Sequence, residues 1–357
     1  MASVDLATVA SSLAARGKGL LAADESTGTI GKRLAKMGLE NTEDVRRAYR
    51  QVLLTAPIGE SVSGVILFKE TLVQKTDGGK PFVECLAEQG VYPGIKVDEG
   101  LQPLEGGLEG ETWTKGLECL AANCSEYVKQ GARFAKWRAT IKIQDGGPSE
   151  AAVARNADEL AQYAKICQTA GLVPIVEPEI LIDGSHTIQR SQEVAERVLS
   201  ACTSRLWHHS VLLEGCLLKP QMVLPGVDSS TKATPSEIAA HTVAALRRTV
   251  PAAIPGVMFL SGGQSEEEAT VNLNAINAAA CTPGTSCPWS LSFSYGRALQ
   301  HSVLELWAKE PARARDAQAL LAAVAAANSA ASKGEYAGVH PVAGGGSLAE
   351  GFRGWRA

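Results

Sequence analysis

The chain has 357 residues, with 34 Lys and Arg against 38 Asp and Glu and a formal net charge of -4. The net charge does not favour a polyanion, and the sequence contains no basic run with interleaved aromatics. We therefore predict no nucleic-acid partner. The longest apolar stretch, around residues 319–331, is too short to cross a bilayer, so we predict no membrane partner.

The N-terminal residues lack the basic segment and continuous apolar core of a secretory signal, and the 8 cysteines fall at irregular intervals. We expect reduced cysteines and a cytoplasmic location, with a plastid as the alternative if a targeting peptide precedes this sequence. The adjacent His208 and His209 point in different directions, and we interpret both as surface residues. The sequence predicts no metal site and no cofactor.

Short apolar runs, bounded by glycine, proline or polar residues and separated by helical patterns, predict β-strands. Strands that alternate with helices form a parallel sheet, and this number favours a closed (β/α)8 barrel, the TIM barrel, over an open doubly wound sheet. We predict one catalytic barrel domain over residues 1–335 and a flexible C-terminal tail over residues 336–357. The predicted strands are 19–23, 62–68, 94–97, 132–137, 173–176, 211–218, 256–260 and 291–294.

Two helix starts carry a capping box, in which the first and fourth residues bond each other's backbone. Thr234 is followed three residues later by Glu237, and Ser265 is followed by Glu268. These pairs predict the helices on either side of the seventh strand.

In a (β/α)8 barrel the reacting groups lie at the carboxyl ends of the strands. A polar residue capable of chemistry stands at that position in all predicted strands except the second. So many coincidences favour an active site over accidents of packing. These residues are Asp24, Lys96, Lys136, Glu177, Lys219, Ser261 and Arg297.

Three of these residues are lysines in apolar or β-branched surroundings, where burial and a neighbouring ammonium both disfavour the charged form of an amine. Lys219 shares its strand face with Leu217, and Lys136 adds a like charge from a nearby strand, so we expect Lys219 to be a nucleophile. Such an amine attacks a ketone and forms an iminium, which stabilises a carbanion equivalent. Glu177 and Glu179, two apart on one strand face, can move the protons that this chemistry needs.

Two glycine-rich segments predict anion sites. The loop 261–264 leads into a capped helix and residues 295–297 follow the eighth strand, so backbone N–H groups and Arg297 can bind one phosphate. Residues 24–33 carry hydroxyls and two cations into another helix. Two anion sites imply a substrate with two phosphates.

Each signal also has a structural explanation. Lys96 can lie along the barrel rim with its charge in water, and Glu177 and Glu179 can pair with Arg138 without taking part in catalysis. The loop 261–263 by itself is a turn signal, because glycine-rich turns before helices are common.

With these residues in place, the chain resembles the class I, Schiff-base-forming fructose-bisphosphate aldolases from about residue 17 to about residue 336. Six motifs match in order, which makes the resemblance specific. They are Leu-Ala-Ala-Asp-Glu-Ser-Thr-Gly, Phe-Ala-Lys-Trp-Arg, Ile-Val-Glu-Pro-Glu-Ile, Leu-Leu-Lys-Pro, Phe-Leu-Ser-Gly-Gly-Gln-Ser-Glu and Phe-Ser-Tyr-Gly-Arg-Ala-Leu-Gln.

The resemblance implies a (β/α)8 homotetramer that reversibly cleaves fructose 1,6-bisphosphate to dihydroxyacetone phosphate and glyceraldehyde 3-phosphate without a metal. It implies that Lys219 forms the Schiff base and that Glu177, with Glu179 as its partner, transfers protons around carbinolamine dehydration. Lys136 would tune the charge of the site, and Asp24 would lie near the breaking bond.

The resemblance also implies two groups of phosphate and substrate contacts. The phosphate of the ketone half is matched by Ser261, Gly262, Gly296 and Arg297. The surroundings of the other phosphate are matched by Lys96, Arg33 and Lys32. Further substrate-binding residues are Thr29, Arg138 and Arg46, and Thr29 keeps the hydroxyl of the serine found there in some relatives.

The C-terminus departs from the family pattern. Many members end in a tyrosine that helps proton exchange at the ketone carbon, whereas this sequence ends in residues 354–357, Gly-Trp-Arg-Ala, and the nearest tyrosine is Tyr336. We expect slower proton transfer at that carbon, or a substitute group.

Two other functions stay open. One is another Schiff-base lyase, similar to transaldolase, with a single phosphate site. The other is a catalytically inert barrel that serves as a scaffold.

Overall fold

The computed structural model describes residues 5–282, 284, 286–342 and 344–348. A closed barrel of eight parallel strands forms its centre, with the order β1-β10-β9-β8-β7-β6-β3-β2, and two further strands pair as a small antiparallel sheet. The predicted TIM barrel is therefore confirmed. The strands are β1 Gly19–Ala23, β2 Val62–Leu67, β3 Tyr92–Lys96, β4 Leu101–Pro103, β5 Thr112–Thr114, β6 Phe134–Ile141, β7 Val173–Ile180, β8 Leu217–Leu218, β9 Gly256–Phe259 and β10 Ser290–Tyr295.

Helices cover the outside of the barrel, and every helix among the described residues is too short or too polar to cross a lipid bilayer. Short 3-10 helices lie at Leu213–Gly215 and Pro311–Arg313. The α-helices described are α1 Leu6–Leu13, α2 Thr27–Lys36, α3 Glu43–Leu54, α4 Lys69–Leu72, α5 Phe82–Glu88, α6 Leu120–Lys129, α7 Glu150–Ala170, α8 Ile188–His208, α9 Pro235–Thr249, α10 Glu266–Ala280, α11 Arg297–Lys309 and α12 Ala314–Ala331.

Both predicted capping boxes are confirmed. At the start of α9 the Thr234 hydroxyl accepts from the Glu237 amide at 3.3 Å, and the Glu237 carboxylate accepts from the Thr234 amide at 2.8 Å. Ser265 and Glu268 exchange the same two bonds at the start of α10, at 3.1 and 2.9 Å. Each box satisfies N–H groups that a helix start would otherwise leave unpaired.

Apolar side chains fill one half of the barrel interior. Phe134, Met258 and their neighbours on the strands pack against α1, which closes the amino-terminal end. The Phe134 ring takes up the space beside Gly94, where a Cβ would stand 2.2 Å from the ring. Because apolar side chains fill this half, the polar side chains gather at the carboxyl ends.

Strands β6 and β7 extend further than predicted, through Ile141 and Ile180. They pair along their whole length, with Arg138 beside Glu177 and Thr140 beside Glu179, so this ladder rises above its neighbours at the barrel mouth. Lys136, Glu177 and Glu179 therefore lie within strands rather than at strand ends. The short sheet of β4 and β5 was not predicted.

The predicted strand 211–218 is wrong in its first part. Residues Leu213–Gly215 form a 3-10 turn, and only Leu217–Leu218 pair with the sheet. The run is apolar because it packs at the amino-terminal end of the barrel, where a Cβ on Gly215 would stand 2.9 Å from Leu6 of α1. Burial, not strand pairing, explains its composition.

Candidate active site

A cavity of about 1570 Å³ opens at the carboxyl ends of the strands. Ligand pockets typically measure roughly 300–1,000 Å³, so this cavity exceeds the needs of one small molecule. Fourteen of the predicted site residues line it. They come from five helices and strands and from the loops after four further strands, so tertiary structure brings them together. They are Asp24, Thr29, Lys32, Arg33, Lys96, Lys136, Arg138, Glu177, Glu179, Lys219, Ser261, Gly262, Gly296 and Arg297.

Lys219 follows β8 directly, and its amine lies at the centre of the barrel mouth. Its Nζ is 3.2 Å from Oε1 of Glu177 on β7, and both side chains are only 5% exposed. The backbone amide of Lys219 bonds the Val176 carbonyl at 2.8 Å, which continues the strand ladder and fixes the position of the lysine. A buried amine beside a carboxylate has a proton acceptor at hand.

Lys136 lies on β6 and contacts three carboxylates. Its Nζ is 2.8 Å from Asp24, 3.5 Å from Glu177 and 3.8 Å from Asp98. Burial alone lowers the pKa of Lys136, but the charges of Asp24, Glu177 and Asp98 outweigh burial and raise that pKa above its ordinary value. Lys136 is therefore an ammonium at neutral pH.

Asp24 follows β1 and is the negatively charged partner of Lys136. Burial raises the pKa of the Asp24 carboxyl, but the ammonium group of Lys136 and the nearby residues Lys219 and Lys96 outweigh burial and hold that pKa well below its ordinary value. Asp24 is therefore ionised at neutral pH. A fixed carboxylate and a fixed ammonium flank the space next to Lys219.

Glu179 is bound by the guanidinium of Arg138 on the neighbouring strand. Burial lowers the pKa of Arg138, but Glu179, Glu177 and Asp98 together outweigh burial, and the pKa lies above its ordinary value. The structure thus joins Glu179 to Arg138, while Glu177 contacts the two lysines. Glu177 and Glu179 therefore lie on one strand face but contact different cations.

A second part of the cavity is formed by the loops after β9 and β10. Gly262 and Gly263 follow Ser261 with φ of 53° and 84°, a left-handed conformation that glycine adopts without strain. In the described structure α11 has Gly296 as its N-cap and no side-chain cap bond, whereas α10 carries its own capping box. The helix N-terminus that can bind an anion is therefore that of α11.

Arg297, the first residue of α11, is strongly buried, and burial lowers its pKa to about 10, so it keeps its charge at neutral pH. Its Nη1 donates to the Leu348 carbonyl at 2.6 Å, and Ser347 donates to the Gly263 carbonyl at 3.1 Å. The described residues 344–348 thus cross the same part of the cavity. Residues 354–357, where the sequence departs from the terminal tyrosine of the family, lie outside the described residues.

The third part of the cavity lies between β1, β3 and α2. Lys96 is the last residue of β3, and Arg33 lies on α2, where it is bound by Glu25. Thr29, one turn earlier on α2, has its hydroxyl 3.0 Å from that of Ser26, and Lys32 stands exposed at the rim. Cations and hydroxyls line this end.

Arg46 is the predicted site residue that the structure does not bring to the cavity. It lies on α3, where its Nε and Nη2 bond Glu70 at 2.9 and 2.6 Å and its Nη1 bonds Asn41. A guanidinium held by a carboxylate in this two-bond geometry is committed to that partner. His208 and His209 do not line the cavity either; His208 is exposed, and His209 bonds Asp158 at 2.9 Å.

The cavity is also lined by polar residues that the sequence analysis did not single out, among them Glu25, Asp98, Ser294 and Gln300. Asp98 stands two residues after Lys96 and Ser294 ends a predicted strand, so the spacing of strand residues could have indicated both. Glu25 and Gln300 bond each other at 3.2 Å, which the sequence does not indicate.

Residues 5–349 match a family model described as fructose-bisphosphate aldolase class-I. The cytosolic fructose-bisphosphate aldolase 4 of Arabidopsis thaliana is 58% identical over 323 residues, which cover 90% of this chain and 81% of that protein. The cytoplasmic isozyme of Spinacia oleracea is 56% identical over 94% of this chain and 92% of its own length.

The fold gives the same result. A solved structure of the Plasmodium falciparum fructose-bisphosphate aldolase, in complex with TRAP and a small-molecule inhibitor, aligns with a TM-score of 0.90 and 50% identity. The alignment covers 93% of this chain and 95% of that chain. The chain belongs to the class I fructose-bisphosphate aldolase family.

Proposed function

We propose that the chain cleaves fructose 1,6-bisphosphate reversibly to dihydroxyacetone phosphate and glyceraldehyde 3-phosphate through an imine on Lys219. The observation that carries this proposal is the contact of 3.2 Å between the buried Lys219 amine and Glu177. The amine adds to the ketone carbon, and the carbinolamine loses water to give the iminium. Glu177 accepts the proton from nitrogen and returns one to the leaving hydroxyl.

Asp24 is the proposed base for carbon-carbon cleavage. It takes the proton of the hydroxyl on the aldehyde-side carbon of the breaking bond. That C–O⁻ becomes the aldehyde carbonyl, and the electrons of the carbon-carbon bond move into the iminium to form an enamine. Lys136, 2.8 Å from Asp24, keeps its positive charge throughout and stabilises the negative charge that develops beside it.

Two phosphate sites would hold the substrate across Lys219. Ser261, Gly262, Gly296 and Arg297 suit the phosphate of the ketone half, because they combine an uncapped helix N-terminus with a buried guanidinium. Lys96 and Arg33, with Lys32, Thr29 and Arg138 around them, suit the phosphate of the aldehyde half. We assign no direct phosphate contact to Arg46, which Glu70 holds away from the cavity.

Borohydride reduction tests the imine. Incubation with dihydroxyacetone phosphate and borohydride should modify one lysine, and peptide mapping should identify it as Lys219. Absence of an adduct would favour an inert scaffold, and an adduct on another lysine would refute the assignment. A transaldolase-like lyase with a single phosphate site would turn over fructose 1-phosphate as fast as the bisphosphate, whereas the proposed aldolase should turn over the bisphosphate faster, so the two turnover rates separate these functions.

The family does not require a metal, and the proposed steps use only side chains of this chain. We therefore expect EDTA to leave the activity unchanged. Strong inhibition by EDTA that zinc reverses would refute the proposed mechanism.

We also propose a homotetramer in the cytosol. Trp207 and Leu212 are 64% and 46% exposed near the end of α8, and such apolar surface is typical of subunit contacts. The relatives from Arabidopsis and spinach named above carry cytosolic and cytoplasmic names. A chloroplastic Arabidopsis relative is 54% identical, so a fluorescent fusion of the full-length gene product is the deciding observation. Sedimentation equilibrium measures the oligomeric state.

A further inference from the structure

Asp98 lies at the barrel mouth and has no part in the reaction proposed above. It stands two residues beyond Lys96, the last residue of β3, and its side chain is 5% exposed. Register places Lys96 directly beside Lys136 on β6. Asp98 is therefore next to both the lysine assigned to a phosphate and the lysine at the charged centre.

The Lys96 ammonium makes two polar contacts with this one residue, an ion pair with its carboxylate and a hydrogen bond to its carbonyl. Lys96 Nζ is 2.6 Å from Asp98 Oδ1 and donates to the Asp98 carbonyl at 2.8 Å. A lysine has a flexible four-carbon stem and loses much rotamer entropy when a ligand must order it. Asp98 imposes that order beforehand, and Lys96 still lines the cavity.

The other carboxylate oxygen faces Lys136. Asp98 Oδ2 is 3.8 Å from Lys136 Nζ, beyond hydrogen-bond distance, and it has no hydrogen-bond partner among the described residues. A buried carboxylate oxygen without such a bond is unfavourable for folding. Its retention here points to a role in the site.

The surrounding backbone does not depend on this carboxylate. Val97 bonds the Lys136 carbonyl at 3.1 Å, and Glu99 bonds the Lys115 carbonyl at 2.8 Å. The turn after β3 is thus held by main-chain bonds on both sides of Asp98. Removing one carboxylate oxygen should leave the turn in place.

We propose that Asp98 is a positioning residue for the second phosphate of the substrate: it holds Lys96 where the ammonium binds the phosphate of the aldehyde half. This inference rests on the proposed function, because it needs Lys96 to contact that phosphate. It makes Asp98 a determinant of the preference for bisphosphates over monophosphates.

The test compares Asp98→Asn with the parent on fructose 1,6-bisphosphate and on fructose 1-phosphate, which lacks the second phosphate. We expect KM for the bisphosphate to rise about tenfold, as for one lost charged hydrogen bond, with KM for fructose 1-phosphate unchanged. The control is Asp77→Asn, which breaks a surface pair of 2.7 Å with Arg47 and should leave both KM values unchanged.

A double-mutant cycle isolates the route through Lys96. In a Lys96→Met background, Asp98→Asn should have no further effect on KM for the bisphosphate. Equal effects on both substrates, additive effects in the cycle, or unchanged KM values would each overturn the proposal. If Asp98→Asn does not fold, Asp98→Glu keeps the charge but displaces Lys96, and it should raise KM for the bisphosphate alone.

Borohydride trapping with dihydroxyacetone phosphate keeps the two proposals separate. A parent protein that forms no Lys219 adduct would refute the proposed function itself. A parent and an Asp98→Asn variant that form the adduct equally, but do not differ in KM for the bisphosphate, would refute only the role of Asp98.

Discussion

Asp24 and Lys136 meet at 2.8 Å between Oδ2 and Nζ, although Asp24 follows β1 and Lys136 lies on β6, two strands that do not pair with each other. Both side chains are buried, and each shifts the protonation of the other toward the charged form. The pair gives the site a permanent negative and a permanent positive charge next to Lys219. The contribution of this pair to folding stability therefore depends on pH.

The folded-state pKa of Asp24 lies below the unfolded value, so the unfolded chain binds the proton more readily. This stability is present above the unfolded pKa of about 3.9 and is lost as pH falls below it. For Lys136 the folded pKa is raised, so its contribution is present below an unfolded pKa of about 10.4 and is lost as pH rises above it.

Asp24→Asn should therefore destabilise the fold most between about pH 3.9 and about pH 10.4, the two unfolded pKa values. Loss of one partner from a buried pair costs up to roughly 3–5 kcal/mol, and Glu177 and Asp98 reduce that figure here because they also contact Lys136. The free energy of unfolding in urea measures the effect at pH 7 and at pH 3. We expect the difference between parent and variant to be smaller at pH 3 than at pH 7, because pH 3 lies below the unfolded pKa of Asp24 but still above its lowered folded-state pKa; an equal difference at both would refute the coupling.

Lys219→Arg should abolish cleavage, because a guanidinium forms no imine under these conditions. We expect a loss in kcat of roughly 10³-fold or more, typical of removal of a nucleophile, and no borohydride adduct. The matched control is Lys165→Ala, since Lys165 lies on α7 and bonds the Ser210 carbonyl at 2.9 Å. Parent-like cleavage by the arginine variant would end the Schiff-base assignment.

Glu177→Gln should lower kcat with little change in KM, because the amide keeps the volume but cannot accept the proton. Removal of a general acid-base group costs about 10²–10⁴-fold. Single-turnover borohydride trapping should show slower adduct formation. Glu193→Gln on the exposed face of α8, where Glu193 pairs with Arg190 at 3.0 Å, is the control and should keep the parent rate.

Arg297→Met should weaken the binding of both fructose 1,6-bisphosphate and fructose 1-phosphate, since both carry the phosphate of the ketone half. We expect KM to rise about ten- to a hundredfold for each, the cost of charged hydrogen bonds to one phosphate. Arg313→Met removes a surface pair with Asp316 of 2.6 Å and should change neither value. A change for the bisphosphate alone would place Arg297 at the other phosphate.

Removal of the residues after Gly338 tests the predicted role of the tail. It would release the contacts that Leu348 and Ser347 make with Arg297 and Gly263. We expect slower exchange of the ketone-carbon hydrogen of dihydroxyacetone phosphate with solvent, measured by NMR in deuterated water. Unchanged exchange would count against any part of the tail in proton transfer.

The sequence by itself determined the architecture and most of the chemistry. Alternating strands and helices, two capping boxes and a polar residue at nearly every strand end are local patterns, and local patterns depend on short-range geometry. Lys219 beside Leu217 and Glu177 beside Glu179 could be placed on their strand faces from a spacing of two. The glycines of the loop 261–263 likewise indicated a sharp turn.

Tertiary structure decided which charges meet. The sequence does not show that Glu179 belongs to Arg138, that Arg46 is taken by Glu70, or that Asp98 holds Lys96, because barrel closure and strand register set those contacts. Protonation was decided in the same way. The charge on Lys136 is the balance of its burial against three carboxylates from distant parts of the chain, and only the folded barrel brings those groups within 4 Å.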